Sequence, residues 1–171
     1  MKATLLFTVL LALTVSFNVS ADYPYLKSSS KGDVRLQCQA IADYDRAKCG
    51  EMKYGDQQTY CYARVTNDGR ACMKIRNDNM RNLCQAQIYK NNSYCQRIYD
   101  YYEKAYCLAI ADDRSDYCLI IRAKDLGAYC QARTSGNSNF CEQIMNEAQR
   151  KYCYALTALE IEDKMRFCQE I

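Results

Sequence analysis

The stretch Cys107–Cys141, CLAIADDRSDYCLIIRAKDLGAYCQARTSGNSNFC, sets four cysteines at intervals of eleven, twelve and eleven residues. The count continues in both directions. Cysteines stand at 38, 49, 61, 72, 84, 95, 107, 118, 130, 141, 153 and 168, a period of 23 residues that lengthens only in the last gap, of fifteen.

The neighbouring residues keep the same period and divide the cysteines into two alternating kinds. Cys38, Cys61, Cys84, Cys107, Cys130 and Cys153 have alanine two places on. Cys49, Cys72, Cys95, Cys118, Cys141 and Cys168 have Met52, Ile75, Ile98, Ile121, Ile144 and Ile171 three places on. An aromatic residue precedes eight of the twelve: Tyr60, Tyr94, Tyr106, Tyr117, Tyr129, Phe140, Tyr152 and Phe167. Six copies at fixed spacing are the signature of a repeat array, in which each unit covers the apolar face of the next. The array is expected to fill residues 35–171.

Between an alanine-type cysteine and the following isoleucine-type one lie DYDR, TNDG, KNNS, DDRSD and SGNSN, which supply helix N-caps and chain reversals. The opposite gaps, such as MKIRNDNMRNL and EQIMNEAQRKY, are rich in helix formers and lack proline. They read as helices from just before each isoleucine-type cysteine to just past the next alanine-type one, with YGDQ, RNDN and KDLG as points where each could break in two. The fold class is all-α: a disulfide-stapled helical repeat array of six hairpin-type units, solenoid-like or compact.

Twelve residues of helix span roughly 18 Å, beyond the reach of a disulfide, whose Cα atoms lie within about 7 Å. The pairing expected on this reading crosses the turns: Cys38 to Cys49, Cys61 to Cys72, Cys84 to Cys95, Cys107 to Cys118, Cys130 to Cys141 and Cys153 to Cys168. This scheme consumes every cysteine, whereas the offset one strands Cys38 and Cys168. Twelve helical residues also rotate the two cysteines about 120° around the axis, so the array is expected to coil. Alanine, isoleucine and the aromatic before each cysteine form the expected interior. The longer final unit, CYALTALEIEDKMRFC, reads as a terminal cap.

Residues 1–21, MKATLLFTVLLALTVSFNVSA, have a lysine, an apolar run and small residues at the end, the pattern of a secretory signal peptide. Residues 22–34 contain the only proline, three serines and a glycine, and read as a flexible leader. Export suits an even number of cysteines used as disulfides and places the chain in the periplasm or outside the cell. The net charge of +3 falls to +2 without Lys2, which argues against nucleic acid, and no second apolar run suggests integral membrane association.

The chain has no histidine and no CxxC pair, so neither a His-based catalytic dyad nor a zinc site has its usual residues, and no metal or cofactor is expected. Glu142, Glu147, Glu160 and Glu162 stand as ordinary helix-surface charges. Tyrosine, with sixteen copies and no tryptophan beside it, is the anomaly. Those before cysteines read as structural. Tyr89, Tyr99, Tyr101 and Tyr102 lie off that register, and with Arg97 they make the composition favoured at protein interfaces. The expectation is an exported, non-catalytic protein that binds another protein, such as a periplasmic inhibitor or toxin-neutralising protein. The runners-up are an envelope carbohydrate hydrolase using Asp or Glu pairs and a secreted host-directed effector.

Overall fold

The computed structural model describes residues 30–171. The expected signal segment and most of the expected leader lie outside that range. Helix α1, Lys31–Asp43, starts four residues before the array was expected to, because the Ser30 side chain accepts from Asp33 N–H and caps it.

The rest of the described chain alternates short and long helices: α2 (Arg46–Gly50), α3 (Gly55–Thr66), α4 (Gly69–Cys72), α5 (Asp78–Tyr89), a 3-10 helix (Asn92–Arg97), α6 (Tyr101–Asp112), a second (Ser115–Ile120), α7 (Lys124–Ser135), a third (Ser138–Gln143), α8 (Glu147–Thr157) and α9 (Ile161–Gln169). Each alanine-type cysteine sits in a long helix, and each isoleucine-type cysteine in the short element before the next. The units do break at or beside the points identified in sequence, where Tyr54, Asn77 and Ala123 precede new helices, and at equivalent places in the other units. Asn77, Asp100 and Asn146 turn to extended backbone, and their side chains accept from the N–H groups of Met80, of Tyr102 and Glu103, and of Gln149. At their C-terminal ends α1, α3, α5, α6 and α7 stop on a left-handed residue, Tyr44, Asn67, Lys90, Asp113 or Gly136. Only the last is glycine.

This break overturns the pairing expected from spacing. The bridges are Cys49–Cys61, Cys72–Cys84, Cys95–Cys107, Cys118–Cys130 and Cys141–Cys153, with Cα atoms 5.5 to 5.7 Å apart, and Cys38–Cys168 at 5.4 Å. Twelve residues do not form one rod. They form a short element, a capped turn and half of the next helix, which fold the two cysteines together. Cys38 and Cys168 are stranded only in an open array, and this one closes.

Closure follows from the packing order. Each long helix touches the next, α1 on α3, α3 on α5, α5 on α6, α6 on α7, α7 on α8, and α8 returns to α1. The long helices run parallel and in register, since equivalent tyrosines stack on one another: Tyr106 on Tyr129 at 5.9 Å and Tyr129 on Tyr152 at 6.2 Å. The short elements return the chain along the outside, each packed against the long helices before and after it. Helix α9, longer than its counterparts because of the fifteen-residue gap, is therefore no polar end cap. It fills the last outer position, packs on both α1 and α8, and carries the closing Cys168.

The interior is as expected at its tightest positions. Ala40, Ala63, Ala86, Ala109 and Ala132 are 0 % exposed, which explains the small residue two places after each alanine-type cysteine: the helices touch there. Ile75, Ile98 and Ile144 are buried anchors for the turns that follow the short elements. The aromatics split by type. Tyr60, Tyr106, Tyr129 and Tyr152, before alanine-type cysteines, are buried, whereas Tyr94, Tyr117, Phe140 and Phe167 are half-buried. Three of the latter carry a guanidinium over the ring, from Arg97, Arg114 and Arg166.

Inside the ring, the residue before each alanine-type cysteine and the one four places later lie one turn apart on the inner helix face. The first level is Gln37, Tyr60, Leu83, Tyr106, Tyr129 and Tyr152. The second is Ile41, Arg64, Gln87, Ile110, Arg133 and Leu156. Hydrogen bonds cross this core: Gln37 Nε2 donates to Tyr152 Oη at 3.2 Å, and Tyr60 Oη donates to Gln87 Oε1 at 2.7 Å. Burial pushes the Tyr60, Tyr106 and Tyr129 hydroxyls above the ordinary phenol value of 10.0. Their folded pKa values exceed the unfolded ones, so the stability linked to these three hydroxyls is fully present below pH 10.0 and is lost as the pH rises from there toward the folded values. A spectrophotometric phenolate titration should accordingly show exposed tyrosines ionising first and a later group ionising together with loss of helical circular dichroism.

A second repeating device was not read from the sequence. Five residues before the alanine-type cysteine, a carboxylate or amide reaches forward to the backbone of the next unit. Asp33 Oδ1 accepts from Lys53 N–H at 2.9 Å, Asp56 from Arg76 and Asn77, Asn79 from Tyr99, and Asp125 from Met145 and Asn146. The equivalent positions hold Tyr102 and Ala148, which break the series. These bonds fix each turn against the preceding helix. Asp125→Ala removes the buried carboxylate that accepts from the Met145 and Asn146 N–H groups in part-buried contacts, and should cost about 1 to 2 kcal/mol, measured by urea unfolding.

Candidate functional site

The five residues expected to form a binding surface are not all brought together. Tyr99, Tyr101 and Tyr102 lie at the start of α6, on the rim where the long helices begin. Tyr89 is the last residue of α5, which runs parallel to α6, and so occupies the opposite rim, roughly 18 Å away along a twelve-residue helix. There its ring stacks on Tyr94 at 6.0 Å and covers Gly69, where a Cβ would stand 2.3 Å from it. The absence of a side chain at Gly69 makes room for Tyr89, whose role is packing across two repeats.

The local chain holds the other tyrosines outward. Ile98 is buried, the Tyr99 N–H is bonded by Asn79 Oδ1 at 3.5 Å, and Asp100 caps α6 immediately afterwards. Backbone on both sides of Tyr99 is thereby fixed while its side chain is 92 % exposed. Tyr101 is 63 % exposed and packs edge-to-face against Tyr102 at 5.7 Å. Tyr102 itself is half-buried against the main core and serves as the support of the pair.

Arg97 and Tyr99 also line a groove of about 810 Å³ with Met73, Asp78, Arg81, Asn82, Gln85 and Lys104. Three cations, Arg81, Arg97 and Lys104, face one carboxylate, Asp78, which is ion-paired to Arg81. The groove therefore favours a partner with acidic and apolar groups. Sequence reading missed Met73, Arg81 and Lys104, although a signal existed. Arg81 and Arg150 occupy the same repeat position, and each donates to the carbonyl of the isoleucine in the preceding turn, Ile75 at 2.8 Å and Ile144 at 3.1 Å. The acids considered for catalysis, Glu142, Glu147, Glu160 and Glu162, are all exposed. Among the described residues no group of three or more His, Cys, Asp or Glu is placed to hold a metal ion, and no helix is long and apolar enough to cross a membrane.

The architecture is thus a ring of six helical repeats closed by six disulfides, with a tyrosine-bearing rim and an adjoining cationic groove. Six disulfides with no free cysteine among the described residues indicate an oxidising, exported environment. Compared with protein-family models, curated proteins and solved structures, the chain matches none.

Proposed function

We propose that the protein is an exported, non-catalytic binding protein that presents the Arg97, Tyr99 and Tyr101 rim to another protein, as a periplasmic inhibitor or toxin-neutralising protein would. The observation that carries this reading is Tyr99: a large apolar ring held 92 % exposed on backbone fixed at both ends. Exposed, pre-ordered tyrosine beside arginine gives contact area at low entropic cost, the common makeup of an interface hot spot. The adjoining cations select for acidic groups around the contact. A carbohydrate hydrolase needs two carboxyls converging about 5 to 10 Å apart, and the exposure of the four glutamates gives that reading no support.

The test is affinity capture from envelope extract with the wild type and with the Tyr99→Ala/Tyr101→Ala double variant, both checked for intact disulfides. Recovery of a discrete partner by the wild type, lost with the variant, supports the proposal. Equal recovery by both removes this rim as the site.

A further inference from the structure

The cations of the groove have a carboxylate among them, but two arginines inside the ring do not. Arg64 on α3 and Arg133 on α7 stand at the second level of the interior, one turn beyond the tyrosines. Around a ring of six, α3 and α7 are three helices apart by either route, so the two side chains start from opposite walls. Both act on the tyrosines of the interior. The Arg64 guanidinium lies over the Tyr60 ring at 5.7 Å and interacts electrostatically with Tyr152, Tyr129 and Tyr106; Arg133 acts on Tyr60 across the ring.

No carboxylate of the described residues is ion-paired to either arginine. The other members of this level are Ile41, Gln87, Ile110 and Leu156. Glu103, on the inner side of α6, sits seven residues before Ile110, about 10 Å down the axis, and accepts from Asn79 Nδ2. At the rim just above, Asp43 is paired with Lys48, and Asp112 accepts from Asn92. Gln87 adds an unmet need. Its oxygen accepts from Tyr60, while its Nε2 is buried without a hydrogen-bond partner among the described residues. Two like charges and an unused donor at one level of a phenol-lined core lack the group that would satisfy them together.

We propose that the mouth of the ring around Arg64 and Arg133 is a binding site for a small oxyanion, a carboxylate or phosphate group. The forked guanidiniums provide paired donors from opposite sides, and Gln87 Nε2 supplies a further one. Both arginines are half-buried and not sealed in, so a ligand can enter from solvent at this end. Burial works against the Arg64 charge, yet the surrounding phenols outweigh it and raise its pKa, so the site stays cationic. This site lies inside the ring, apart from the Tyr99 rim, and does not depend on the binding role proposed for that surface.

Because the chain has no tryptophan, its intrinsic fluorescence reports the tyrosines, four of which line this core. The full exported chain is titrated with sodium phosphate and, separately, with sodium acetate, each against sodium chloride at equal ionic strength. Fluorescence and thermal midpoint are followed together. A saturable response to phosphate or acetate, weakened about tenfold or more in Arg64→Gln/Arg133→Gln and kept in Arg122→Gln, a change at an exposed arginine outside both sites, is the expected result; whichever salt saturates names the source of the oxyanion. Should the double variant not fold, Arg133→Gln alone carries the test, since that side chain makes no hydrogen bond or ion pair with another of the described residues. A response no different from chloride, or one undiminished in the arginine variant, overturns the site.

Discussion

Replacing Cys38 and Cys168 together by serine should destabilise the protein by about 5 kcal/mol, more than any of the other five paired replacements at about 3 kcal/mol each. The difference comes from loop length. The closing bridge joins residues 130 apart, whereas the others join residues 12 apart, and in the chain-entropy model the unfolded chain gains more freedom when the longer loop is released. The native state responds differently too. Opening a short bridge frees one outer element from one long helix, but opening this one removes the covalent link between the first and last units, which otherwise hold each other through packing of α1 on α8 and α9. Paired serine variants of each bridge, unfolded in guanidinium chloride, provide the comparison. A Cys38/Cys168 variant no weaker than Cys118→Ser/Cys130→Ser would mean that the ends contribute little to holding the ring.

Tyr129→Ala should cost about 4 kcal/mol. Tyr129 is buried in the middle of a stack, with Tyr106 on one side and Tyr152 on the other, so its removal takes one stacking contact from each of two rings and leaves a cavity in the interior. Tyr129→Phe keeps the stack and should cost far less, about 1 kcal/mol, from the lost hydroxyl. Equal losses in the two variants would show that the hydroxyl network, and not the stack, holds this level together.

The period, the two cysteine types, the helical class and the buried alanines and isoleucines were legible in the sequence because each repeats at one position in every unit. The break points were legible as well, in RNDN and KDLG. What misled was the assumption of an open chain. Spacing along one rod made the offset pairing look impossible, and counting ends made it look wasteful. Both objections vanish once Asn77, Asp100 and Asn146 cap a new helix and α9 reaches α1, a contact between residues far apart in sequence that no local pattern encodes.

The interaction surface was legible only in part, for the same reason. Tyr99, Tyr101 and Tyr102 are close in sequence and fall on one rim, but Tyr89, equally close, is carried to the other rim by the length of α5. Met73, Arg81 and Lys104 join the groove from three elements and could not be grouped without the ring. The forward-reaching acids, Asp33, Asp56 and Asp125, have no local pattern that marks them as acceptors, and that role appears only when the next unit's turn lies against them.

Ring closure is the claim on which both proposed sites rest, and a non-reducing peptide map of the oxidised, exported protein tests it most directly. A peptide containing Cys38 linked to one containing Cys168, alongside Cys49 with Cys61 and Cys141 with Cys153, is the result expected. Recovery of Cys38 joined to Cys49 and Cys153 joined to Cys168 would contradict it, leaving an open array with no interior to line.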